Sequence, residues 1–240
     1  MSTSLVLITI ICYVFALFLL WRERSFRYVL MLFAGHMVML LLPIWQRVYQ
    51  IRPMNAAGLE LLGRFTIPWG LLIGGGPLLA LPPLIFYYGL RHRWWPRHYL
   101  AIWVAYAAFV MYFLFIEALL VRSGALLFDN SVLIADTAIP AEIIQAVLLG
   151  GVSLGMAYTL VSTRHYALRI AIFPLLLSGV AAALLFLGVF ASPLWVSGLL
   201  DQEGWFVVGG GLVSLGLVLW GVHLLASGLH AGRRQQFVWR

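Results

Sequence analysis

Residues 99–122 read YLAIWVAYAAFVMYFLFIEALLVR, with a single acid, Glu117, ahead of the closing Arg122. At ~1.5 Å per residue this run is long enough, as a helix, to cross a hydrocarbon core of ~30 Å. Lipid leaves a spanning segment few alternatives to a helix, because every backbone polar group must be satisfied within the protein. The same reading repeats along the chain. Seven spans are expected, at roughly 3–22, 28–45, 66–90, 99–122, 138–163, 169–194 and 205–227, so residues 1–240 form one all-α transmembrane domain. Of the 240 residues 63% are hydrophobic and 10% charged, and the mean hydropathy is +1.00. Too little polar surface remains to cover a soluble fold.

Charge gives the chain a direction. The net charge is +7, and since lysine is absent every Lys+Arg position is an arginine. Arg22, Arg24, Arg27, Arg91, Arg93, Arg97, Arg164, Arg169, Arg233, Arg234 and Arg240 fall on one side of the expected spans. Arg47, Arg52, Arg64 and Arg122 fall on the other, with Glu60, Asp129, Asp136, Asp201 and Glu203. The positive-inside rule then places the C-terminus in the cytoplasm and the N-terminus outside, as a multi-pass protein of a bacterial inner membrane. A basic balance that would suggest nucleic acid in a soluble chain is read here as orientation, and no nucleic-acid partner is expected. The first run lacks a basic leader and an Ala-x-Ala site, so it reads as a retained helix. Cys12, the single cysteine, lies inside that run and offers neither a disulfide framework nor a thiolate metal site.

Trp21, Trp45, Trp94, Trp95, Trp195, Trp205 and Trp239 lie near expected span ends, where an indole buries its ring and keeps its N–H wet. Glycines gather within spans three (Gly74, Gly75, Gly76), five (Gly150, Gly151, Gly155) and seven (Gly209, Gly210, Gly211, Gly216), which permits close helix approach. None has the strand-turn-helix setting of a phosphate-binding loop.

Titratable groups at bilayer depth cost at least ~2.5 kcal/mol without a partner, so His36, Glu117, Glu142 and His223 carry most of the functional information. His36 follows Arg27 and His223 precedes Arg233, each by a distance of about 13 to 15 Å along a helix. Two histidines at matched depth could hold one haem iron from both faces; the plainer alternative is two separate interhelical hydrogen bonds. Glu117 and Glu142 flank a short outer connection. Such carboxylates could share a proton and keep an acid ready, or could pair with Arg122 and Arg64. Without lysine no Schiff base can form, which excludes a retinal protein. His92, His98, His165 and His230 are scattered among loops and helix ends, unlike a di-iron cluster, and no Ser-His-Asp or Cys-His arrangement shares a depth.

The segment Phe33-Ala34-Gly35-His36, followed by Leu41, Pro43 and Trp45, resembles the second helix of the haem b subunit of respiratory nitrate reductases, the gamma family. Leu59-Glu60-x-x-Gly63, a Gly-rich third span and Arg93-x-x-Pro96-Arg97 follow in the same family's order, over about the first hundred residues. The resemblance implies that His36 ligates a b-type haem, with another ligand on the last helix, where His223 is the candidate. The family's further histidine falls at Phe26, so at most one haem is implied, and the family has five spans where this chain has seven.

Glu117-x6-Gly124-x3-Phe128 followed by Pro140-x-Glu142 resembles membrane-embedded lycopene cyclases and related carotenoid-modifying enzymes. Leu126 stands where that family has Trp and Ile143 where it has a second Glu, and no second copy of the repeat is present. That resemblance implies a protonated carboxylate that protonates a polyene double bond, with Glu142 as the acid.

Three functions are therefore expected candidates, of which only the second makes the chain itself an enzyme. The first is a membrane subunit of a respiratory or photosynthetic oxidoreductase complex that anchors partner subunits and carries electrons through one b-type haem to or from quinone. The second is a polyene-modifying enzyme using Glu117 and Glu142. The third is a haem-free structural subunit.

Overall fold

The computed structural model describes residues 2–48, 51–53, 58–61, 65–96, 98–122, 126–128, 141–200 and 204–231. Its helices are α1 (Ser2–Glu23), α2 (Arg27–Met39), α3 (Leu42–Val48), α4 (Trp69–Arg91), α5 (Tyr99–Arg122), α6 (Ala141–Ser162), α7 (Leu168–Ala183), α8 (Ser192–Leu199) and α9 (Gly204–Ala231). A 3-10 turn, Thr163–His165, follows α6, and α7 runs on as a π-helix through Leu184–Phe190. Six helical segments are long and apolar enough to cross a membrane: α1, α4, α5, α6, α7 with its π continuation, and α9. This is a helical, multi-pass protein suited to a lipid bilayer.

The expected span at 28–45 is broken. Helix α2 has 13 residues, about 20 Å of rise, and ends at Met39 before α3 begins. Pro43 explains the break: its ring would collide with the Met39 carbonyl four residues earlier, so the helix restarts around it. The expected start of span three at residue 66 is also corrected, because Phe65–Pro68 is strand β3, paired antiparallel with β2 (Gly58–Leu61). Strand β1 (Ile51–Pro53) pairs with β4 (Leu126–Phe128), tying the segment after α3 to the segment after α5. Both ladders lie at the end of the bundle opposite the turns that carry Arg24 and Arg93, and hydropathy alone gives no sign of them.

Helices α4 and α6 are the most buried spans and α1 the least. Helix α2 is held between α4 and α7. A Cβ on Gly35 would run into the Gly76 carbonyl of α4, and one on Gly179 of α7 would meet the Ala34 carbonyl at 2.6 Å. Side chains this small let backbones touch, as packing in lipid favours. Gly151 and Gly155 of α6 seat Phe186 and Ala182 in the same way, whereas Gly209 and Gly216 of α9 face open space. The wide π turn aims Phe186 and Phe190 at one core face, with ring centroids 5.2 Å apart at 86°.

Candidate functional site

Helix α4 carries Pro77, Pro82 and Pro83 in its interior. Each lacks an N–H, so the carbonyls four residues earlier, at Ile73, Leu78 and Leu79, lose their usual donors. All three carbonyls are met by hydroxyls from other helices. Thr9 of α1 donates to Ile73 at 3.0 Å, Tyr112 of α5 to Leu78 at 3.0 Å, and Ser153 of α6 to Leu79 at 3.3 Å. In hydrocarbon an unmet carbonyl is costly, so these contacts bind three helices to a proline-bearing fourth. Neither the prolines nor the hydroxyls stand out by charge, which is the signal that draws attention to the intramembrane histidines and acids.

His36 belongs to the same construction. Its Nδ1 lies 3.0 Å from the Leu72 carbonyl, one residue before the position freed by Pro77. A carbonyl can only accept, so Nδ1 carries the proton and Nε2 keeps a lone pair. The ring stacks on Tyr13 of α1, with centroids 5.9 Å apart and planes within 13°, and rests on the Cα of Gly76. A ring nitrogen that donates to a backbone carbonyl is the arrangement that orients a histidine toward a metal through its other nitrogen.

His223 has different surroundings. It is exposed, and its Nδ1 is 2.7 Å from the hydroxyl of Tyr99, the first residue of α5. His36 thus faces α1 and α4 while His223 faces α5; α2 packs on α1, α4 and α7, whereas α9 packs on α5, α6 and α8. The two rings are held by different helices. Among the described residues no group of three or more His, Cys, Asp or Glu is placed to hold a metal ion.

Glu117 is buried, at 3% exposed, in the last turns of α5. Glu142 is the second residue of α6; its side chain, like Arg64 and residues 123–125 and 129–140, lies outside the described residues. Just beyond Glu142, Ile143 and Ile144 open onto an apolar cavity of about 310 Å³ between α6, α8 and α9, with Leu148, Leu194 and Leu212 in its wall.

A second polar centre lies at the opposite end, where Glu23 closes α1. Its carboxylate accepts from Tyr28 at 2.6 Å and His92 at 2.9 Å and pairs with Arg91 at 2.8 Å. Glu23 is the one acid on the arginine-rich side of the expected topology. Its position between Arg22 and Arg24 makes it look like part of a solvated charge run, whereas it joins α1, α2 and α4. Nearby, buried Arg27 donates through Nη2 to the Tyr166 carbonyl at 2.7 Å. Of the expected tryptophan anchors, Trp21, Trp94 and Trp205 are largely exposed at helix ends, Trp45 is buried, and Trp239 lies outside the described residues.

No family model, no curated protein and no solved structure matches the chain.

Proposed function

We propose that this chain is an integral subunit of a respiratory or photosynthetic oxidoreductase complex in a bacterial inner membrane. In this reading it has seven spans, with α2 and α3 together forming the broken second one, the N-terminus outside and the C-terminus cytoplasmic. Its arginine-rich turns, residues 22–27 and 91–98, dock partner subunits. The observation that carries the reading is His36, with Nδ1 committed to Leu72 and Nε2 left with a lone pair beside Tyr13. That nitrogen would help hold a single b-type haem, which would supply one-electron transfer to or from quinone. The chain's own residues fix the ring: Leu72 sets its tautomer, Tyr13 its plane and Gly76 its closeness to α4. The second ligand in this reading is His223 on the last helix.

The test is the absorption spectrum of protein purified from its native membrane, oxidised and then reduced with dithionite. A b-type Soret band and sharpened alpha band, at about one haem per chain and absent in His36→Ala, is the expected result. If that protein carries no haem, His36 serves only the packing of α2 on α4 and the chain is the haem-free structural subunit.

The apolar cavity beginning at Ile143 favours one second reading, a polyene-modifying enzyme in which Glu142 protonates a double bond and Glu117 sets its charge. Glu142→Gln would then abolish conversion of a polyene by membranes expressing the protein, with haem content unchanged.

A further inference from the structure

At the end of the bundle marked by Glu23, a pocket of about 300 Å³ opens between α4 and α6, lined by Tyr87, Leu90, Arg91, Val161, Arg164 and His165. Charge around it does not balance. Arg91 and Arg164 line it from α4 and the turn after α6, Arg27 of α2 is bonded to the Tyr166 carbonyl of that turn, and the carboxylate at this end is Glu23, which is already engaged by Arg91, His92 and Tyr28. Arg164 spends its Nε on the neighbouring His165 ring at 2.7 Å. Arg27, 8% exposed, spends Nη2 on the Tyr166 carbonyl, and its Nη1 is buried with no hydrogen-bond partner. A cation removed from water without an anion is costly, and a guanidinium fork matches phosphate oxygens two at a time.

We propose that this pocket binds a phosphate group, and that the phosphate belongs to the headgroup of an anionic phospholipid. Arg91 is the last residue of α4 and Arg164 lies two residues past α6, so both stand where apolar helices meet water. Leu90 and Val161 line the same pocket as the cations, an apolar side that acyl chains can use and a free anion cannot. Basic pockets between spanning helices are a recurrent form of lipid-headgroup site. Arg164 is the principal ligand with His165 beside it, Arg91, held by Glu23, forms the wall, and Arg27 is joined to the same turn through the Tyr166 carbonyl.

Native mass spectrometry of the full chain in a neutral detergent, titrated with phosphatidylglycerol, phosphatidylcholine or inorganic phosphate, tests the assignment. One phosphatidylglycerol per chain is expected to bind in clear preference to phosphatidylcholine. Arg164→Gln should weaken that binding about fivefold and Arg164→Lys much less, the effect of removing one interfacial charge. Equal binding of the two lipids by the wild-type chain overturns the proposal without recourse to any variant, as does undiminished phosphatidylglycerol binding by folded Arg164→Gln. Saturable binding of inorganic phosphate that is lost in Arg164→Gln, with no preference for phosphatidylglycerol, would identify a free anion as the ligand and remove the lipid.

Discussion

At the scale of single residues, the polar atoms inside this bundle are matched to defects in its backbone. Thr9, Tyr112 and Ser153 each donate to a carbonyl that a proline four residues later has released. Thr9→Val should therefore destabilise the protein by about 0.5–1.5 kcal/mol, the range of interhelical hydrogen bonds in membranes. In a Pro77→Ala background residue 77 regains an N–H for Ile73, and the cost of Thr9→Val should fall toward zero. A double-mutant cycle in reversible unfolding from mixed micelles reads the difference; equal costs in both backgrounds would mean that Thr9 does not serve the proline. His36 was marked in the sequence by its charge at bilayer depth, and its neighbour Gly76 by a glycine cluster. Their contact with each other was not legible, because it depends on which faces of α2 and α4 meet, and a lipid-facing stripe and a packed stripe have the same composition.

Among elements, the contact of α2 with α4 is the tightest to perturb. Gly76→Ala would drive a methyl group into the His36 ring, so a loss of about 1–3 kcal/mol is expected. The same substitution at Gly216, where a Cβ meets nothing within 4 Å, should leave stability unchanged within error, and thermal unfolding of the two variants side by side checks both. Helix positions were well anticipated: α1, α4, α5, α6, α7 and α9 all lie on expected spans, because a run of apolar residues as long as the bilayer is thick has one stable backbone solution. Interruptions were not. The break between α2 and α3 and the π-helical stretch lie inside apolar runs, and the strand ladders fall in or beside connections too short to show a strand period.

For the whole molecule, the arrangement of arginines and the second span proposed for α2 with α3 make a joint prediction. Cysteines placed at exposed Arg24 and Leu200, with Cys12 replaced by alanine, should label from opposite sides of the membrane, Arg24→Cys from the cytoplasm. Labelling from the same side would mean that α2 and α3 do not cross, and reversed labelling would overturn the orientation while keeping the span count. The proline-bearing helix α4 also bears on how the chain is made. Synthesis runs from the N-terminus, so α1 precedes α4 and Thr9 is already present when Ile73 arrives. The acceptors at Leu78 and Leu79 have no such luck: Tyr112 and Ser153 are still to be translated. Helix α4 therefore enters the bilayer as an unfinished element, one that cannot settle as a lone helix in lipid until α5 and α6 have joined it. Insertion of the first half of this protein is in that sense completed only by the second half, and a ribosome halted before Ser153 would hold a chain whose central helix still needs water.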